Sequence, residues 1–445
     1  MEVAIEEILV YGTVFILCII TVYFYLRKQK KNSLKILKKV AIAKEEGSFE
    51  PISLHPYIDL NSCIGSAACV ADCPEKDILG IVDGKATVIN TSNCVGHGAC
   101  FHSCPVEAIS LRIGTETRGV DLPHVNENFE TNTAGIYIAG ELGGMGLIKN
   151  SIEQGQQAIE SMVKIKKPSK QNVLDVIIIG AGPAGISASL AAKKYGLSSL
   201  TLEQDSLGGT VYTFPRSKLV MTSPMDLPLF GKVKLHDTSK DELLQLWNKV
   251  IDEHDLKIIE NTKVDGIIPL QDKSFKLITN TGMEYLCNSV LLAIGRRGTP
   301  RKLNIPGENS QKVAYRLLEP ERISGKKIIV VGGGDSAVES AMLLKDNNEV
   351  ILSYRKDKFA RIKPKNKEKI AEAIADKSIK ALFDSNLVSL NDQSVMIKVN
   401  GDPGPKELEN DLVYIFAGGE LPTKFLQNAG VEITKRFGHV MKKHH

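Results

Sequence analysis

The sequence predicts an α/β protein: two Rossmann-like dinucleotide-binding domains, a small α+β domain and one N-terminal transmembrane helix. Three observations carry this. Two glycine-rich strand-turn-helix patterns begin near residues 174 and 326, six of the eight cysteines fall between residues 63 and 104, and an uncharged apolar run extends from Ile8 to Leu26. A chain of 445 residues can form two or three domains that each bury a core. A charged fraction of 24%, 43% hydrophobic residues and a formal net charge of +4 describe ordinary globular protein and argue against a nucleic-acid partner.

The nineteen residues Ile8 to Leu26 would span roughly 28 Å as a helix, about one bilayer core. Glu2, Glu6 and Glu7 precede the run, whereas Arg27, Lys28, Lys30, Lys31, Lys35, Lys38 and Lys39 follow it. Basic residues stay on the cytoplasmic side, so the N-terminus is expected outside and the rest of the chain in the cytoplasm of a single-pass cell-membrane protein. A cleaved signal peptide would need a basic start, a shorter apolar run and a small-residue cleavage site, and none is present.

Cys63, Cys69 and Cys73-Pro74 recur 31 residues later as Cys94, Cys100 and Cys104-Pro105, an internal duplication. Such spacing wraps backbone around an iron-sulfur cluster, while the proline turns the chain away. Ser66 and His97 stand where each run would carry its second cysteine. Each cluster is then left with three thiolates, enough for a [3Fe-4S] cluster. His97 could instead complete a [4Fe-4S] cluster, as imidazole does in Rieske centres; Ser66 is a poorer ligand. The alternatives are a zinc site and a shell that has lost its clusters. Zinc prefers C-x₂₋₄-C pairs, and neither alternative explains one offset shared by six cysteines and two prolines. Of the other two cysteines, Cys18 lies in the apolar run and Cys287 in a strand-like segment.

In LDVIIIGAGPAGISASLAAKKYG an apolar strand leads into Gly180, Gly182 and Gly185 and then a helix, and the next strand ends at Glu203. The glycines permit a tight turn, a close-lying pyrophosphate and close helix-strand packing; the acid accepts hydrogen bonds from a ribose. The pattern recurs in KKIIVVGGGDSAVESAMLLK with Gly332, Gly334, Ser336 and Ala337, but the matching position beyond its next strand is Arg355, followed by Lys356 and Arg361. Cations there suit a 2′-phosphate. The first site reads as FAD and the second as NADPH, with NADH open because the whole basic segment is Lys-rich.

GAGPAG, the Gly208-Gly209-Thr210 turn, LLAIGRRG, VVGGGDSAVE and SYRKDKFAR together resemble the thioredoxin-reductase-like flavoproteins. TFPRSKLVMTSPMDLP is most similar to the bacillithiol-disulfide-reductase type, and residues 51–112 resemble two-cluster bacterial ferredoxins. The ferredoxin likeness implies that Cys63 and Cys69 share a cluster with Cys104, and Cys94 and Cys100 one with Cys73. The flavoprotein family closes on a strand and acid facing the flavin; here FETNTAGIYIAGELGGMG, with Gly140 and Glu141, precedes the first glycine motif, which implies circular permutation. The expected domains are therefore a transmembrane anchor (1–33), a basic juxtamembrane segment (34–50), a ferredoxin domain (51–113), a permuted FAD domain (114–298), an NAD(P)H domain (299–411) and a return to the FAD domain (412–445).

The family's disulfide reductases need a nucleophilic thiolate. This chain has no C-x-x-C, and Ala184 stands where the bacillithiol type carries a cysteine in its first glycine motif. The resemblance, the cysteine repeat and the apolar run together predict a membrane-anchored NADPH:acceptor oxidoreductase whose hydride step needs no side chain as acid or base. Electrons would pass through FAD and two iron-sulfur clusters to a quinone, a cytochrome or a ferredoxin-like carrier. Reverse flow to NADP, or a redox-sensing or complex-subunit role, are the alternatives, and a homodimer is compatible with the sequence. His444 and His445 are assigned no role.

Overall fold

A single helix, Glu2–Glu45, opens the computed structural model. The structure describes residues 2–45, 49–51, 54–75, 77–94, 96–116, 119–144, 146–165, 172–213, 219–221, 224–235, 237–296, 299–360, 362–420 and 422–444. The chain divides into two units: Met1–Gly119 with Phe437–His445, and Val120–Arg436.

In the first unit the helix has two halves. From Tyr11 to Leu26 its large apolar side chains are exposed, among them Tyr11, Phe15, Leu17 and Tyr25; among the described residues it is the one helix long and apolar enough to cross a membrane. The basic stretch after residue 33, expected as a separate juxtamembrane segment, instead continues the same helix. No glycine or proline interrupts residues 27–45, and Ser33, Ile36, Val40 and Ala43 form a narrow covered stripe at helical spacing. That stripe packs on the hairpin Leu79–Val82/Lys85–Val88. The Ser33 hydroxyl accepts the Asp83 N–H at 3.1 Å, and Lys39 pairs with Asp77 at 2.5 Å. A Cβ on Gly80 would lie 2.9 Å from Ile36 Cγ2. Overpacking of this kind costs about 1–3 kcal/mol, so Gly80→Val is expected to loosen the helix from the hairpin and speed tryptic cleavage between Arg27 and Lys39. Cleavage at the parental rate would show that the contact does not hold the helix.

Around this hairpin the cysteine repeat folds twice: short helices Ala68–Ala71 and Ala99–His102 follow the two loops. A three-stranded antiparallel sheet completes the unit in the order His55–Ile58, Ile109–Ile113, His439–Lys442. The third strand corrects the expectation that residues 412–445 all return to the FAD domain. His444 also lies here, its ring stacked on Phe101 with centroids 3.7 Å apart.

The second unit contains two sheet cores, the first mixed, with Phe275–Thr279 and Val264–Pro269 antiparallel, and the second parallel. The first sheet runs Ile258–Ile259, Ser199–Leu202, Leu174–Ile179, Glu284–Leu292, Phe275–Thr279, Val264–Pro269, with Ile136–Ile138 added in parallel beside Val290 to Leu292. Fully buried Ile136, Ile177, Leu202, Val290 and Leu292 form its core. The second sheet, Val313–Ala314, Leu412–Ile415, Lys327–Val331, Glu349–Ser353, Ile379–Leu382, is parallel throughout. Strand Leu412–Ile415, apolar and paired with Ile328 to Val331, therefore belongs to the second core and not to the returning segment. The return comes later: Leu426, Ala429 and Val431 pack into the first core. A meander of Ser385–Leu390, Ser394–Val399 and Lys406–Glu409 flanks the second sheet.

Candidate functional site

The first glycine loop joins strand Leu174–Ile179 to helix Pro183–Lys194. A Cβ on Gly185 would overlap the Gly180 carbonyl oxygen, so helix and strand can approach this closely only with glycine. Gly182 differs: no protein atom lies within 4 Å of where its Cβ would be. Open space at a helix N-terminus, over exposed backbone, fits a dinucleotide pyrophosphate. Glu203 is 5% exposed and accepts from Ala181 N at 2.7 Å and Asp205 N at 3.0 Å. Burial, only partly offset by those two N–H groups, raises its carboxyl above the usual range.

The Gly208-Gly209-Thr210 turn is tied to this loop by Gly208 N to Ala181 O at 3.0 Å. From the opposite side come Gly140 and Glu141, at the end of strand Ile136–Ile138. A Cβ on Gly140 would meet that of Ala184 at 3.1 Å. Arg296, whose guanidinium burial lowers below its ordinary pKa, lies in the field of Glu141 and Asp121 and donates to Asp121 O at 3.3 Å. Sequence reading missed this arginine, although its place in the GRRG turn was the available signal. Ala184 is buried and Cys287 fully so.

The second loop repeats the plan. Gly334 precedes helix Asp335–Leu344 and again has open space where a Cβ would stand. Ala337 is fully buried, and Ser336 is exposed at the helix start. Tyr354 packs on Gly333 and stacks on Phe359 at 5.5 Å, which fixes the start of the basic segment. Arg355 and Lys356 are exposed, and among the described residues no ion pair is formed by either. Arg361 lies outside the described residues. An ion pair that sequence reading did not foresee, Arg316 to Asp205 at 3.0 Å, links the segment after residue 299 to the loop beyond Glu203.

In the first unit, Cys63, Cys69, Cys104 and Ser66 line one small cavity with Ile58, Ala86 and Ala108. The Ala86 N–H donates to Cys63 Sγ at 3.4 Å and the Ala108 N–H to Cys104 Sγ at 3.3 Å. The second trio is Cys73, Cys94 and Cys100. Burial pushes the Cys94 thiol up to about 11 and the Cys100 thiol to about 12, and the Cys73 charge acts on both. Such thiols are neutral at pH 7 in the metal-free chain, so ligation must release their protons. Among the described residues no three His, Cys, Asp or Glu side chains converge closely enough for a single metal ion. Six cysteines in two trios that share one offset of 31 residues, each trio closed by a proline, fit multi-iron clusters better than zinc.

His97 sits within the second loop. Both ring nitrogens are buried without a hydrogen-bond partner among the described residues, and burial lowers its pKa against the weaker pull of Glu75. A buried polar group left unpaired costs about 1–3 kcal/mol.

Comparison with known proteins agrees with these geometries. A family model for pyridine nucleotide-disulphide oxidoreductases matches residues 177–444. The chain belongs to that family. A 4Fe-4S dicluster domain model matches residues 55–105, so this pyridine nucleotide-disulphide oxidoreductase is an FAD-dependent NAD(P)H enzyme with a 4Fe-4S dicluster domain. Among its relatives, a ferredoxin–NADP reductase of Ignicoccus hospitalis is 28% identical over 58% of this chain and 82% of its own. The bacilliredoxin reductase Bdr of Bacillus subtilis is 25% identical over 59% and 82%. The solved bacillithiol disulfide reductase Bdr from Staphylococcus aureus superposes with a TM-score of 0.52 at 23% identity, covering 60% of this chain and 85% of that one, and so shares the fold.

Proposed function

We propose that this oxidoreductase is a membrane-anchored NADPH:acceptor enzyme that passes electrons through FAD to its two clusters and on to a redox partner. The observation that carries the reading is the union, in one chain, of two open dinucleotide cradles and two cysteine trios with no reactive thiol at the first cradle. When bound, flavin supplies the conversion between a two-electron hydride donor and one-electron acceptors. The chain's part is to position: Gly182 and Glu203 hold one nucleotide, Gly334, Arg355 and Lys356 the other. Two electrons leave each NADPH as hydride, and two single electrons reach the acceptor.

A disulfide-reductase role has less support, because Ala184 offers no nucleophile and Cys287 is buried. Reverse flow, from a reduced carrier to NADP, is the second reading and is favoured by the ferredoxin–NADP reductases among the relatives. Circular permutation is supported by strand Ile136–Ile138, which pairs with Val290 to Leu292, the strand that also pairs with the first glycine strand, although it precedes that motif and lies outside the matched region. The membrane anchor is supported by the exposed apolar run and the basic residues after it. The helix is unbroken from Leu26 to Ser33, where the cluster unit already packs; seven residues rise roughly 10 Å. An acceptor at the membrane surface fits that short reach.

Anaerobic NADPH added to the full chain in detergent is expected to bleach the flavin band and then reduce the clusters. A flavin that stays oxidised with both NADPH and NADH would end the relay reading. Reduction of the flavin by a chemically reduced ferredoxin, followed by NADPH formation at a rate exceeding NADPH oxidation, would select reverse flow instead.

A further inference from the structure

We infer that His97 is the fourth ligand of the cluster held by Cys73, Cys94 and Cys100, so that the two clusters of this protein differ in kind. The inference rests on the reading that the small domain carries clusters, and it concerns how one of them is closed.

The two loops are built alike. Residue 66 lies between Gly65 (φ 71°) and Ala67 (φ 60°), and residue 97 between Gly96 (φ 75°) and Gly98 (φ 77°). Two left-handed residues flank each position, so the backbone presents both side chains at the same point of the repeat. In the first loop that side chain is Ser66, which lines the cavity with its three cysteines. A short hydroxyl is a weak ligand for iron, and the first cluster keeps three thiolates. In the second loop an imidazole takes the place.

Among the described residues, its surroundings offer no partner of the kind a structural histidine needs. Buried polar groups in folded proteins are nearly always hydrogen-bonded, and each exception requires an explanation. Nδ1 and Nε2 of His97 are both buried and, among the described residues, both unpaired. The charged group acting on the ring is Glu75, which acts also on Cys73 and Cys94 of the same trio. A ring nitrogen bound to iron removes the orphan, and neutral imidazole is a common metal ligand. No charge is added on binding: the ring coordinates through one neutral nitrogen and keeps its proton on the other. With imidazole replacing thiolate, the cluster is less negative by one charge than a four-cysteine cluster and accepts an electron more readily.

Pulsed EPR on the reduced full-length protein tests this without any variant. Iron and acid-labile sulfide are measured first; a protein that binds neither overturns the cluster reading and this one with it. In cluster-bearing protein, histidine ¹⁵N labelling is expected to change a strongly coupled nitrogen signal. His97→Ala should remove that signal, and His97→Cys should remove it while keeping a four-iron cluster at a lower midpoint potential. The His97→Cys protein guards against an alanine variant that fails to assemble. Spectra insensitive to histidine labelling, or a labelled signal that survives His97→Cys, would overturn the assignment while leaving the cluster domain itself established.

Discussion

Replacing Arg355 and Lys356 together with alanine is expected to raise KM for NADPH roughly 10- to 100-fold, because charge-assisted hydrogen bonds are worth about 1.5–3 kcal/mol. KM for NADH should change by no more than about two-fold, since a ribose without a 2′-phosphate makes no such bonds. Both side chains are exposed beyond strand Glu349–Ser353, and neither belongs to an ion pair among the described residues, so their loss should leave the domain folded. Tyr354 keeps its place on Gly333 and Phe359 in this variant, which separates recognition from packing. Steady-state oxidation of each nucleotide with an artificial one-electron acceptor measures the pair of constants. A parallel rise for NADPH and NADH would remove the 2′-phosphate role from these residues.

The second large effect separates two glycines of one motif. In Gly185→Val the new side chain would overlap the Gly180 carbonyl and press on Ile178. Nothing there can yield cheaply, because the obstacle is backbone, and a loss of about 3 kcal/mol or more is expected along with the flavin. Gly182→Ala meets no protein atom within 4 Å. Its expected result is therefore a reduced flavin-to-protein ratio after purification, with a melting temperature that matches the parent's when both proteins are stripped of flavin. If Gly182→Ala retains full flavin, the open space at that helix start is not the pyrophosphate seat.

The nucleotide loops and the cysteine repeat were legible because their information is local. Three glycines, a strand and a helix occupy one short window, and the structure places Gly182 and Glu203 around the same loop. What escaped the sequence depends on distant partners. The segment after Arg27 reads as a solvated basic stretch, yet Ser33, Ile36, Val40 and Ala43 meet a hairpin some fifty residues on. Leu412–Ile415 looks equally suited to either core, and only its pairing with Ile328 to Val331 assigns it. Arg296 and Arg316 have partners, Asp121 and Asp205, that no spacing rule connects to them. His97 was visible as a departure from a pattern; that its two nitrogens are buried and unpartnered among the described residues became apparent only in the folded chain.

The strand His439–Lys442 beside Ile109–Ile113 also bears on biogenesis. A ribosome makes these two strands about 330 residues apart, roughly 17 to 66 s at about 5–20 residues per second. During that interval all six cysteines of the small domain have left the exit tunnel while its sheet still lacks an edge. Iron-sulfur loading that needs the finished sheet must then wait until His439–Lys442 has been made, and the six thiols must stay reduced until that moment.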